Sequence, residues 1–377
     1  MSAKRFGGRR ARFEALESKQ LLAGDVFVSV VGGNLVVAGD EAGNQVAITS
    51  GAEPGEYVIR GLDGTNIVQS TDPAAVTPPV SEVVVTGVTR GARIGLGAGD
   101  DTLVMSDVGF RGSVNVGMGE GNDTVSIGLR PDSEPRELID STTETEPAAS
   151  VRIGGSLRIG AGADDDAVRI DHTVVGGRLS VRGGAGEDVV RLGHPMPPAE
   201  ENPTAAVADT PAPEETPRAV HVGRGVHVNL GAGHDEFFAN SVKTNRGFYV
   251  NGGLGDDGLH ANHIWAGGPL VLRGGGGDGA DNVDLAHSRA RTAVIATGEG
   301  NDHVRIADSV FRGLGVALGA GDDTLDLHGN TAHWAFFLGG AGTDAIDDLG
   351  GNEFGHRFVR GFEPMPAPPE EVGTEVA

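Results

Sequence analysis

Ten aspartates recur along the chain, each closing a glycine-rich phrase: Asp101, Asp123, Asp166, Asp188, Asp235, Asp257, Asp281, Asp302, Asp323 and Asp344. The phrases read Gly-x-Gly-x-Asp and open at Gly97, Gly119, Gly162, Gly184, Gly231, Gly253, Gly277, Gly298, Gly319 and Gly340. If they stack, the carboxylates form a column about 5 Å apart. At an effective dielectric constant near 20, each like-charge neighbour then costs roughly 3 kcal/mol. Such a column must be neutralised by cations, by protons or by backbone N–H donors. Calcium takes six to eight hard oxygen ligands in flexible geometry and suits the column, with Asp100 and Asp322 as the extra acids of the best-formed sites. The plainer alternative is that each aspartate accepts backbone N–H bonds in its own corner, as in an Asx-turn.

A second row lies six residues beyond the corner aspartates: Asp107, His172, His194, Ser241, His263, His287 and Asp308. Histidines in register suit a transition metal or a polysaccharide, or form the outward polar edge of a third side. Trp265 and Trp334 either stack on a sugar or pack locally.

The elements that would position these rows follow from the spacing. Successive phrases open 22, 43, 22, 47, 22, 24, 21, 21 and 21 residues apart, so two gaps are doubled and the rest keep one period. A fixed period in this range marks a solenoid, whose repeats bury their apolar faces only against one another. In the unit Ser113 to Ile127, Val114 and Val116 alternate with polar neighbours, Gly119 and Gly121 give the corner its freedom, and Val125 and Ile127 resume the alternation. Similar inward pairs include Leu103/Met105, Val168/Ile170, Val190/Leu192, Val283/Leu285 and Leu325/Leu327. The expected fold is all-β, a right-handed parallel β-helix with about 21–22 residues per coil. At a strand spacing of about 4.8 Å, ten corners make a rod roughly 45–50 Å long. Asp164 replaces the second glycine of its phrase, which predicts a distorted corner. Asp348 stands at an apolar position, which predicts the end of the core.

Composition narrows the function. The 377 residues include 63 glycines and no cysteine, which excludes disulfides and thiolate metal sites. Net charge is −24, and the first 19 residues hold six basic residues against two acidic ones. The remainder, near −28, argues against nucleic acid and anionic membranes as partners. No apolar run is long enough to span a bilayer. Residues 1–24 read as a basic targeting segment, 25–89 as irregular capping strands, 90–362 as the solenoid and 363–377 as a loose acidic tail. The acidic, proline-rich segments 129–149 and 195–218 explain the double gaps as disordered loops. Only Lys243 of the three lysines falls in the solenoid, and arginines such as Arg158, Arg169, Arg182 and Arg191 read as scattered singly. No unique catalytic constellation is legible, so a non-enzyme is expected, with a carbohydrate-active lyase or hydrolase as the alternative.

The corner phrase resembles the nonapeptide of the haemolysin-type (RTX) calcium-binding repeats, most closely at 97–103 (GAGDDTL) and 319–325 (GAGDDTL). That resemblance implies Ca²⁺ held between successive coils along one edge. The RTX phrase recurs every nine residues on both edges, whereas this one occurs once per coil, so it implies one row at most. Residues 12–23 (RFEALESKQLLA) are similar to the LEPR-xLL targeting segment of large exported planctomycete-type proteins, with Ser18 and Lys19 replacing its proline and arginine. This implies export. Together these expectations describe a monomeric, secreted or cell-surface acidic solenoid with a calcium-binding edge. Its expected role is structural or adhesive, with extracellular matrix or polysaccharide as partner and a calcium-independent scaffold as a further alternative.

Overall fold

The computed structural model describes residues 24–69, 78–129, 150–193 and 220–363. The expectations for the N-terminal segment, the two acidic loops, the tail and His194 fall wholly or mainly outside them. The described residues form a β-solenoid of stacked parallel strands joined in one 30-stranded sheet system.

Each coil enters its corner on one strand, leaves on a second and turns back through a short third. Val114–Glu120 lies parallel between Ala92–Ala98 and Leu157–Ala163, with Gly119 in register with Gly97 and Gly162. Thr124–Ile127 lies likewise between Thr102–Met105 and Ala167–Ile170. Val151–Ile153 connects Gly109–Phe110 with Thr173–Val175 on the third side. Alternation decides which residues face inward, so Val114, Val116, Val125 and Ile127 are all buried. The result is one continuous core from Val26 to Phe337, slim because each coil contributes a few aliphatic side chains.

The corner glycines have a steric reason. Gly119 has φ 133°, and a Cβ there would fall on the carbonyl oxygen of Gly97 in the neighbouring coil. Only a residue with no side chain lets two corners stack at strand spacing.

Two irregularities account for the uneven period. Gly253 is in register with Gly275, while a Cβ on Gly279 would meet the Gly255 carbonyl, so this corner carries two extra residues before Asp281. The stacked corner thus opens at Gly275 rather than Gly277. A register shift between Ala266 and Pro269 then removes one residue, and later coils run at 21.

The corner at Gly162 is not distorted. Asp164 takes the left-handed conformation itself, with φ 74°, and the flanking register is kept. Asp, with a short polar side chain, tolerates that region better than most residues.

The ends differ from the middle. Asn34–Ala38 and Gln45–Ser50 pair in parallel with Ala92–Ala98 and Thr102–Met105, so the first coil begins inside segment 25–89. Around it, Asp25–Val31 pairs antiparallel with Asn34–Ala38, and Gln45–Ser50 with Tyr57–Gly61, closing that end with hairpins. At the other end Asp348 lies opposite Leu327, and Ala345–Asp348 has no fully buried residue. Glu353–Arg360 is the last strand, and Phe336 and Phe358 are about half exposed on the face it shares with Thr331–Ala341.

Candidate functional site: the aspartate column and its neighbours

The ten corner aspartates do stack, and they point into the protein. All are buried, at 0 to 4% exposure. The residue in the equivalent place of the first coil is Asn44, also fully buried. Each side chain caps the backbone of the coil before it. Asp101 Oδ1 accepts the Asn44 N–H at 2.7 Å, Asp123 that of Asp101 at 2.8 Å, and Asp166 that of Asp123 at 2.9 Å. The pattern continues through Asp188, Asp235, Asp257, Asp281, Asp302, Asp323 and Asp344, at 2.8 to 3.2 Å. The corner turns each of these N–H groups away from the strand ladder, and a buried N–H without a partner is costly. The repeated aspartate supplies the missing acceptor, from the next coil and not from its own corner.

The second oxygen is different. In every column member but Asp281, Oδ2 is buried with no well-formed hydrogen bond among the described residues, although the Thr297 hydroxyl and the Gly184 N–H lie close enough to favour the charged forms of Asp302 and Asp188. Glycine makes room for it in several coils, since a Cβ at Gly183, Gly252 or Gly339 would collide with the Oδ2 of Asp188, Asp257 or Asp344. Desolvation is the main reason nine of these carboxyls, Asp101 to Asp323, bind a proton more tightly than a free aspartate does. It raises Asp101, Asp188 and Asp323 to about 6, Asp123, Asp257 and Asp281 to about 7, and Asp166 to about 8. Asp235 and Asp302 are raised for the same first cause. Backbone N–H donors pull down, and neighbouring carboxylates push several of them up further.

Asn44 indicates what a neutral rung looks like. Its Nδ2 donates to the backbone carbonyls of Ala42 and Leu96 while its own N–H is capped by Asp101. A protonated carboxyl has the same planar shape, with one O–H donor where the amide has two N–H donors.

A second ladder, built from neutral residues, does the same work at another corner. Ile264 N–H donates to Ser288 Oγ, Ser288 N–H to Ser309 Oγ, Ser309 N–H to Asn330 Oδ1, and Asn330 N–H to Asn352 Oδ1. The remaining donors reach carbonyls, as Asn330 Nδ2 does to Ile306 O at 2.7 Å.

The extra acids predicted for calcium lie apart from the column. Asp100 and Asp322 are exposed and cap in the opposite direction, accepting the N–H of Asn122 and Thr343 from the coils that follow. Asn122, Asp165 and Asn301 continue this outer row. The twelve candidate ligands thus form two counter-running ladders separated by the chain. Among the described residues, no three His, Asp or Glu side chains converge as a group that could hold a metal ion.

The histidine row is a backbone feature. Asp107, His172, Ser241, His263, His287 and Asp308 all have φ between 41° and 58°. Their polar character follows from a left-handed corner, which Asn, Asp and His adopt more readily than apolar residues. His263 and His287 stack at 4.9 Å, and His287 Nε2 lies 3.7 Å from Asp308. Trp334 stacks on His356 at 4.0 Å, while Trp265 lies under the Lys243 ammonium at 5.8 Å.

The face formed by Val114–Glu120, Leu157–Ala163, Leu179–Ala185, Val226–Ala232 and Phe248–Leu254 carries a groove of about 740 Å³. Arg158, Arg178, Arg182, Arg224 and Arg246 line it, so Arg158 and Arg182 are gathered with three others rather than scattered singly, while Arg169 and Arg191 are register partners elsewhere. Register was the available signal: Arg158, Ser180, His227 and Tyr249 are direct partners on adjacent strands. The double gap between Gly184 and Gly231 separates them in sequence and hides the alignment.

No protein-family model and no curated protein matches this chain.

Proposed function

We propose that the protein is a non-enzymatic, surface-exposed or secreted acidic scaffold, a rigid solenoid locked by its own corner side chains. The observation that carries this reading is the aspartate column: the most repeated motif in the chain is spent on capping backbone N–H groups of adjacent coils. A motif consumed by the fold is a structural motif, and its regularity leaves no unique acid–base pair along that edge. The acidic surface and the export-type residues 12–23 support an extracellular setting.

A calcium-stabilised edge is the second reading, favoured by the unpartnered Oδ2 atoms. A divalent cation would supply them with the positive charge that a proton supplies in the first reading. The carboxylates would bring one free oxygen per coil, so the other ligands would have to be corner carbonyls.

Thermal melts of the full chain, followed by far-UV circular dichroism in millimolar calcium and in a chelator, separate the two. The scaffold reading predicts coincident melts. A calcium-dependent gain in β signal or melting temperature would reverse the order, because an ion that binds only the folded coils stabilises them by mass action.

A further inference from the structure

The groove on the entry-strand face is chemically unlike the rest of the molecule. The chain carries 53 acidic against 29 basic residues, yet among the described residues no Asp, Glu or Lys lines this groove. Its five arginines are exposed, and none is ion-paired to an acid among the described residues; Arg158 Nη1 instead meets Asn115 Oδ1 at 3.4 Å. Five guanidinium groups with no acidic partner among the described residues repel one another, and an anion in the groove relieves that repulsion. Their kind matters as well as their charge. A guanidinium offers a planar fork of donors that meets a carboxylate or sulfate through two parallel hydrogen bonds, which a lysine ammonium does not.

Two further observations narrow the anion. His227 stacks on Tyr249 at 4.6 Å, giving the floor a flat ring surface beside the arginines. Burial and the Arg178 charge both hold His227 below the ordinary histidine value, so at neutral pH it is an uncharged ring. Ser156 and Ser180 add hydroxyls, and Gly160 keeps the floor low. Flat ring, hydroxyl partners and planar cationic forks together match a pyranose ring bearing a carboxylate. Arg158 comes from one coil, Arg178 and Arg182 from the next, and Arg224 and Arg246 from the two after that, so the charges spread over four coils stacked at about 4.8 Å, room for an oligomer of a few charged rings. The acidic remainder of the molecule disfavours a densely charged polyanion that extends beyond the groove, such as nucleic acid.

We infer that this groove binds a short anionic oligosaccharide, its carboxylates held by Arg158, Arg178, Arg182, Arg224 and Arg246 and one ring resting on the His227–Tyr249 pair. The inference gives the proposed scaffold an adhesive contact. It rests on the scaffold reading for its extracellular setting alone: calcium-dependent melts overturn that reading and leave the groove standing, and a failed titration overturns the groove and leaves the scaffold standing.

The test is calorimetric titration of the full chain with a short galacturonic-acid oligomer at about 0.1 M salt, where charges more than about 10 Å apart are largely screened. A neutral glucose oligomer of equal length and a single-stranded oligonucleotide serve as comparisons. Saturable binding of the acidic oligomer alone is expected. Arg178→Ala and Arg224→Ala are expected to weaken it about tenfold or more each, as loss of a charge-assisted hydrogen bond implies. Tyr249→Ala should weaken it while leaving its salt dependence unchanged, a split that a purely electrostatic surface would not give. Both arginines are exposed, so unchanged melting curves verify that the variants fold. No binding, equal binding of the neutral oligomer, undiminished binding by the arginine variants, or tighter binding of the oligonucleotide would each overturn the inference.

Discussion

The backbone N–H of Asp101 donates to Oδ1 of Asp123 at 2.8 Å, one coil further along, and the N–H of Asp123 donates in turn to Asp166 at 2.9 Å. Each corner therefore depends on the next for a hydrogen bond its own strands cannot make. The column transmits order along the rod in one direction, while the exposed row through Asp100 and Asn122 runs in the other.

Replacement of a rung separates charge from hydrogen bonding. Asp166→Asn keeps an acceptor for the Asp123 N–H and removes the group most strongly disposed to stay protonated. Its melting temperature should equal or exceed that of the parent, most clearly at alkaline pH. Asp166→Ala leaves that N–H buried and unpaired and should cost about 1–3 kcal/mol. Chemical denaturation of the two variants beside the parent checks both.

Stability should fall as pH rises through neutrality. A carboxyl whose folded value lies above its unfolded value of 3.8 binds its proton more tightly in the native state. Its contribution is complete below 3.8 and is lost as pH rises through the folded values of about 6 to 8. His260, which burial would lower, is raised to about 9 by its hydrogen bond to Asp284 and the nearby Glu236 carboxylate, and works in the same direction. Asp40, Asp284 and Asp348, where hydrogen bonds outweigh burial and hold the value down, act the opposite way near pH 4 and below, and His227 and His263, lowered by burial, do so below 6.5, two groups against the nine raised aspartates. Melting temperature should therefore drop by at least about 5 °C between pH 5 and pH 9. A flat or rising profile over that range would contradict the linkage.

Glycine substitutions should divide by position. Gly119→Ala places a methyl group on the Gly97 carbonyl at φ 133° and should destabilise by more than about 2 kcal/mol. Gly117→Ala, two residues earlier, meets nothing within 4 Å and should change stability by less than about 0.5 kcal/mol. Urea denaturation midpoints of the pair measure the difference directly.

The neutral ladder offers an internal control. Asn330 accepts from Ser309 and donates to Ile306 and Asn352. Asn330→Asp removes those donors when ionised, so the variant should be close to the parent at low pH and lose stability as pH rises. Melts at two pH values check it.

Much of the fold was legible from residue spacing. The inward pairs around Gly119 fix two strands and a corner, and nothing in the unit competes with that pattern. The position of the aspartates was equally readable. Their direction was not, because Gly-x-Gly-x-Asp fits an aspartate facing out toward ions as well as one folded in toward the preceding coil. What decides is the N–H that each corner strands, which becomes visible only when coils are stacked. The arginine groove was hidden for a related reason: Arg178 and Arg224 are neighbours only after the 194–219 segment is skipped. The two extra residues before Asp281 and the shift at Pro269 show that the period itself drifts where a coil absorbs a length change.

The most direct measurement is a carboxyl ¹³C NMR titration of the folded protein, with the corner aspartates assigned through their Asp→Asn variants. Asp123 and Asp166 should remain protonated at about pH 6, well above the titration of exposed aspartates. Titration of the whole column near 4 would contradict it and leave the rungs as charged carboxylates that need a cation.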